Sequence, residues 1–279
     1  MLLRYRDSPN RIELLLYALL SFGLWSLIWL KAFHVPPTQD EVTSFFDYIA
    51  GTWGKVFMSN LTNNHFLNSL LGKITTSLFG DSMFIFRTPN VLAFPVYAAA
   101  LWKIGVTFNS LSRWVFGLGL LLCYPLFEYF GLARGYALSF ACIVLAFSFL
   151  IQFWKRDGFK YSIYAAICVI LSISANLALI HFGIAFSLIL MAILLDRKKL
   201  KSWSILSPLA IILAGLSFAT IGFKHKRIIQ VYFEHSDGFI HSTMKTVVNM
   251  LTYSIDHPLS LGNYYPISWR FSSKYYGCC

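Results

Sequence analysis

Two adjacent carboxylates, Asp40 and Glu41, follow the pair Pro36-Pro37 at the end of the first long apolar block. At that boundary between water and lipid, a carboxylate can take a proton from an acceptor hydroxyl as general base, or hold a divalent cation. The same residues also fit a plainer pattern. Thr38-Gln39-Asp40-Glu41 spells a capping box, with Thr38 as N-cap and Glu41 reaching back to it, and acids favour a helix's first turn in any case. The two readings can hold for different members of the pair.

Three cations complete the set. His65 follows Asn63-Asn64 where a second amphipathic stretch begins, and can donate to a phosphate; packing or solvation is the simpler role. Arg87 and Arg134 stand at the ends of later apolar blocks, where a guanidinium can grip a phosphate through two parallel bonds or merely reach the headgroups. Glu128 is placed to pair with Arg134, while Asn176 and His181 read as turn residues. His235 and His241, near Glu234 and Asp237, lack tight ligand spacing, so no metal site is assigned. A sugar leaving a polyprenyl phosphate needs a base for the acceptor hydroxyl and positive charge for the departing phosphate. Asp40 or Glu41 answers the first need, and His65, Arg87 and Arg134 the second.

The elements that must position these residues are apolar helices. Of 279 residues, 57% are hydrophobic and 13% charged, with 26 Phe, 15 Tyr and 8 Trp. The mean hydropathy is +0.62. A soluble core of this length cannot hide so much apolar side chain, so lipid must cover part of it. Blocks at 14–33, 89–107, 114–131, 135–154, 161–178, 179–195 and 203–223 each come near the roughly 20 residues a crossing requires. The expected fold is therefore all-α, a polytopic bundle of about seven spans. The first block lacks a small-residue cleavage site and reads as a signal anchor. A tight turn is expected between the fifth and sixth blocks.

The +11 net charge lies in short clusters between blocks, which is an orientation signal and argues against nucleic acid as a partner. With the N-terminus cytoplasmic, inner segments carry twelve Lys and Arg and the outer connections four: Lys55, Lys73, Arg87 and Arg134. The outer loop, 34–88, is not a polar linker. Phe45, Phe46, Ile49, Trp53 and Val56 or Phe57 recur at helical spacing, as do Phe66, Leu67, Leu70, Leu71, Ile74 and Leu78 opposite Asn68, Ser69, Thr75 and Thr76. These predict two amphipathic helices lying in the headgroup plane. Cys123, Cys142 and Cys168 read as small core residues, and the terminal Cys278-Cys279 falls on the wrong face for lipidation. Asn60-Leu61-Thr62 is a glycosylation pattern that matters only in a secretory compartment.

In order along the chain come Asp40-Glu41, Asn-His-Phe-Leu at 64–67, Leu-Phe-Gly-Asp-Ser at 78–82, Arg-Thr-Pro-Asn-Val-Leu at 87–92 and Ala-Arg-Gly-Tyr-Ala-Leu at 133–138. This succession, spanning 40–154, resembles the membrane glycosyltransferases of the C-type fold, which include protein O-mannosyltransferases, lipid A aminoarabinose transferases and lipopolysaccharide-core transferases. The resemblance implies inverting transfer from a polyprenyl-phosphate sugar donor to a glycan, lipid or protein acceptor at the outer face of a bacterial inner membrane. Asp40 and Glu41 then match the family's acidic pair near the acceptor, and His65, Arg87 and Arg134 match donor-phosphate positions. Two departures stand out: Phe66 where the family has Pro, and Leu132 where it has Glu. The family also continues beyond a large outer loop, so 1–223 reads as the glycosyltransferase-like part and 224–279 as an incomplete extracytoplasmic segment. No cofactor is expected, a divalent metal being optional. A lipid-linked sugar transporter, which would need ionisable groups deep in the spans, and an inactive assembly partner are the competing readings.

Overall fold

A computed structural model of the chain describes residues 10–58, 65–156, 158–196 and 206–223. The chain divides into two compact units, Met1–Ile228 and Ile229–Cys279, and every described residue belongs to the first. The Asn60 glycosylation pattern, the histidines of the tail and Cys278-Cys279 lie outside the described residues.

Apart from short connections the described residues are helical, with no strand among them. The elements are α1 (Arg11–His34), α2 (Gln39–Ser44) running into a π-helical turn (Phe45–Ile49), α3 (Trp53–Met58), α4 (Phe66–Phe79), α5 (Met83–Gly105), α6 (Ser110–Leu121), α7 (Tyr124–Phe130), α8 (Tyr136–Arg156), α9 (Phe159–Ala175), a 3₁₀ turn (Leu177–Leu179), α10 (Ile180–Asp196) and α11 (Leu206–Phe223). Four segments are long and apolar enough to cross a membrane: α1, α5, α8 and Leu177–Asp196. The pair α6–α7 makes a fifth if it crosses as one.

The third expected block is thus broken, with a bend of 56° between α6 and α7. Pro125, in the first turn of α7, has no N–H to continue the α6 ladder, and its ring clashes with the preceding turn. The fifth block, α9, has 17 residues and ends where Asn176 turns to extended geometry and caps the 3₁₀ turn. The turn anticipated there is present, although His181 lies inside α10. The seventh block corresponds to α11.

Helix α5 is the central element, packed against α1, α4, α6 and α8. It runs antiparallel to α1: the Tyr17 hydroxyl donates to Ala98 O at 2.8 Å, Trp25 Nε1 to Val91 O at 3.0 Å, and Arg87 reaches Ala32 O at 2.9 Å. These bonds satisfy the polar ends of two aromatic side chains inside an apolar setting. Only 11% of the most apolar window of α1 is buried, which leaves most of its apolar surface for lipid to cover.

The amphipathic helix α4 is turned inside out relative to a soluble one. Its buried face is Leu67, Asn68, Ser69, Gly72 and Thr76, while Ile74, Leu78 and Phe79 point outward. The bundle offers hydrogen-bond partners and lipid offers none, so the polar stripe faces protein. Gly72 allows the approach to α5, since a Cβ there would stand 2.5 Å from the Phe86 ring. The other expected interfacial helix is interrupted at Ala50–Thr52, where Lys73 holds the carbonyls of Ile49 and Gly51 at 2.6 and 2.8 Å.

Candidate active site

The site grows from the end of α1. Pro36 and Pro37 stop that helix and leave the carbonyls of Ala32, Val35 and Pro36 without helical partners. Arg87, one turn into α5, supplies them: Nη1 donates to Ala32 O and Val35 O at 2.9 and 2.7 Å, and Nη2 to Pro36 O at 3.3 Å. A guanidinium at a helix C-terminus also meets the negative end of the helix dipole.

Glu41 takes the remaining guanidinium N–H groups. Nε donates to Oε1 at 2.8 Å and Nη2 to Oε2 at 2.7 Å, so all five N–H groups of Arg87 are engaged. The Glu41 carboxylate further accepts from Ala133 N at 2.7 Å, Thr38 N at 2.9 Å and Thr38 Oγ1 at 3.2 Å. The capping box read from the sequence is therefore present, with Glu41 as its reciprocal member. Burial pushes the Glu41 carboxyl up, but the bonds from Arg87, Ala133 and Thr38 together outweigh it and hold the group below its ordinary range. Glu41 and Arg87 are both buried from solvent, at 0% and 1% exposure. The expectation that Glu41 serves as base and Arg87 as phosphate ligand meets a pair whose polar atoms already serve one another and the backbone.

Asp40 is different. Successive helix residues point about 100° apart, so with Glu41 turned inward Asp40 turns outward, 44% exposed, and pairs with Arg134. The two acids thus meet two different guanidiniums. Among the described residues no cluster of three or more His, Cys, Asp or Glu side chains is placed to share a cation.

Arg134 comes from the connection between α7 and α8. Gly135 has φ +68°, and a Cβ there would stand 2.5 Å from Ala175 O and 2.8 Å from the His65 Cβ. Only glycine fits that approach. The connection is pinned at Ala133, whose N–H goes to Glu41 and whose carbonyl accepts from Asn68 Nδ2 at 3.0 Å. Asn68 in turn accepts from Asn90 Nδ2 at 2.6 Å. The Arg134 guanidinium lies over the Tyr136 ring at 5.4 Å, and the Tyr136 ring meets His65 at 5.1 Å.

His65 Nδ1–H donates to Ala175 O at 2.9 Å. A carbonyl can only accept, so the proton sits on Nδ1 and leaves Nε2 with a lone pair. Burial pushes the His65 imidazole toward the neutral form; the Ala175 bond and Asp40 favour the cation, Arg134 opposes it, and the balance falls below the ordinary value. A neutral His65 in this tautomer offers an acceptor at Nε2, which departs from the expected phosphate donor.

Asp40, Arg134, Tyr136 and His65 form a contiguous partly exposed cluster, with Glu41, Arg87, Asn68 and Asn90 beneath it. Asn68 and Asn90 escaped the sequence reading as site residues, although an Asn inside an apolar helix is itself a signal. Glu128 pairs with Lys31, not with Arg134 as the sequence spacing had indicated, because the bend at Pro125 carries α7 toward the end of α1. At the opposite end of the bundle, Arg113 is buried against Glu13, which also accepts from Ser110. Compared with models of known protein families, with curated proteins and with solved structures, the chain matches none.

Proposed function

We propose that this chain acts as a membrane glycosyltransferase of the C-type fold, moving a sugar from a polyprenyl-phosphate donor to an acceptor hydroxyl at the end of the bundle that holds Asp40 and Arg134. The single observation that carries the reading is the partly exposed Asp40–Arg134 pair, built on the buried Glu41–Arg87 pair beneath it. One group can accept a proton and the other can bind phosphate, side by side at the edge of an apolar bundle.

The arriving donor phosphate competes with Asp40 for Arg134 and frees the carboxylate. Asp40 takes the acceptor's hydroxyl proton, the acceptor oxygen attacks the sugar's anomeric carbon, and the bond from that carbon to the phosphate oxygen breaks. The polyprenyl phosphate leaves with the electron pair, its charge held by Arg134. Glu41 and Arg87 are positioning residues: through Thr38 and Ala133 they fix the two segments carrying Asp40 and Arg134. His65 Nε2 is an acceptor for a substrate hydroxyl. Charged side chains gather at the two ends of α1 and α5 and at the Lys155–Arg156 end of α8, with Arg134 just before its start, and leave the helix middles uncharged, which favours chemistry at a surface over passage through the bundle.

Binding of polyprenyl phosphate to the purified chain in detergent tests the assignment of Arg134. Arg134→Gln should weaken it about tenfold or more, as loss of a charge-assisted phosphate contact does, and Asp40→Asn should leave it equal or tighter. Equal binding by wild type and Arg134→Gln rejects the site.

A further inference from the structure

Between α1 and α5, near the end marked by Glu13 and Arg113, lies an apolar slot of about 440 Å³. Ala18, Pro95, Ala98 and Ala99 are small and leave the space; Tyr17, Trp25 and Trp102 stand around it. Two of the polar handles do not serve it, since the Tyr17 hydroxyl is bound to Ala98 O and the Trp25 indole N–H to Val91 O. Ser21 adds a hydroxyl to the α1 wall, and the rest of the slot between the two helices is mostly carbon. Its α1 wall runs from Leu14 to Trp25, which is about 16 Å of helix. That is close to half of a hydrocarbon core roughly 30 Å thick, the depth of one leaflet.

Lys103 lines the slot at the end of α5, where the acid Glu13 is already held by Arg113 and Ser110. The Arg113 guanidinium also lies over the Trp102 ring at 5.6 Å, and its pairing with Glu13 cancels the acid's charge at the same rim. An apolar slot one leaflet deep with a cation at the headgroup level matches one class of occupant.

We propose that this slot binds an anionic phospholipid of the leaflet at the Glu13–Arg113 end, one acyl chain between α1 and α5 and the headgroup phosphate at Lys103. The site is at the opposite end of the bundle from Asp40 and Arg134, and rests on no reading of the reaction.

Native mass spectrometry of the full chain in nonionic detergent, with phosphatidylglycerol and phosphatidylcholine added in equal amounts, reads the site directly. Wild type should retain phosphatidylglycerol about fivefold over phosphatidylcholine, the selectivity one interfacial lysine provides. Lys103→Gln should bring that ratio close to one. Ala99→Trp, a change on the exposed face of α5, should fill the slot and reduce retention of both lipids. Equal retention of the two lipids by wild type overturns the proposal, and needs no variant to be folded. Undiminished phosphatidylglycerol retention by Ala99→Trp overturns it as well. So does a lipid-free dimer that Ala99→Trp abolishes, because the slot would then belong to a second copy of the chain.

Discussion

Glu41 and Arg87 meet fork to fork, at 2.8 and 2.7 Å, with neither side chain open to solvent. This pair joins the end of α1, the start of α2, the start of α5 and the connection before α8. Breaking it from one side leaves a buried charge unpaired. Glu41→Gln and Arg87→Met should each destabilise the folded chain by about 3–5 kcal/mol. The double variant Glu41→Leu with Arg87→Met should cost less than the two singles added, because no charge remains buried. Unfolding of the three variants in mixed micelles measures the difference.

The same pair sets a pH dependence. The folded Glu41 carboxyl titrates below its unfolded value, so its contribution to stability is complete above the unfolded value and fades as pH falls toward and through the folded one. Stability of the wild type should therefore decline in acid below the ordinary carboxylate range. Glu41→Gln, lacking the titrating group, should show a flatter profile in the same window; identical profiles would contradict the linkage.

The sequence made part of this site legible because capping and charge placement are local signals. Thr38 to Glu41 reads as a capping box from four residues, and Arg87 and Arg134 read as cations at block ends. How Asp40 and Glu41 divide between surface and interior is not legible in those four residues, since it depends on which way α2 docks. Other features are set by tertiary partners. The polar face of α4 turns inward because Asn68 finds Ala133 O there, and periodicity alone cannot tell a helix facing lipid from one facing water. The role of Ala133 rests on its backbone, which side-chain reading does not register. The pairing of Glu128 with Lys31 follows from the bend at Pro125, which hydropathy passes over.

Gly135 is where the fold of the site is least tolerant. Gly135→Ala adds a side chain at positive φ and places it against Ala175 O. A cost of about 1–3 kcal/mol is expected for the backbone alone, with displacement of Arg134 and His65. Thermal unfolding reads the cost, and the His65 ring chemical shifts read the displacement.

His65 should take up its second proton at a lower pH than an ordinary histidine does, the neutral ring keeping its proton on Nδ1. Arg134→Gln removes a cation that opposes protonation and should raise the titration point. Asp40→Asn removes an anion that favours it and should lower the point. Nitrogen-15 spectra of labelled histidine across pH follow both changes; shifts of the opposite sign would mean that the cluster is arranged differently.

The most direct test of the account is sugar transfer itself. Purified chain in liposomes, given a panel of polyprenyl-phosphate sugars and acceptor glycans, lipids or peptides, should release polyprenyl phosphate with a matched donor and acceptor. Asp40→Asn should slow that release by about a hundredfold or more, the usual contribution of a general base, while the Glu41–Arg87 pair keeps the variant folded. Release by Asp40→Asn at the wild-type rate, or none by wild type across the panel, would contradict the proposal.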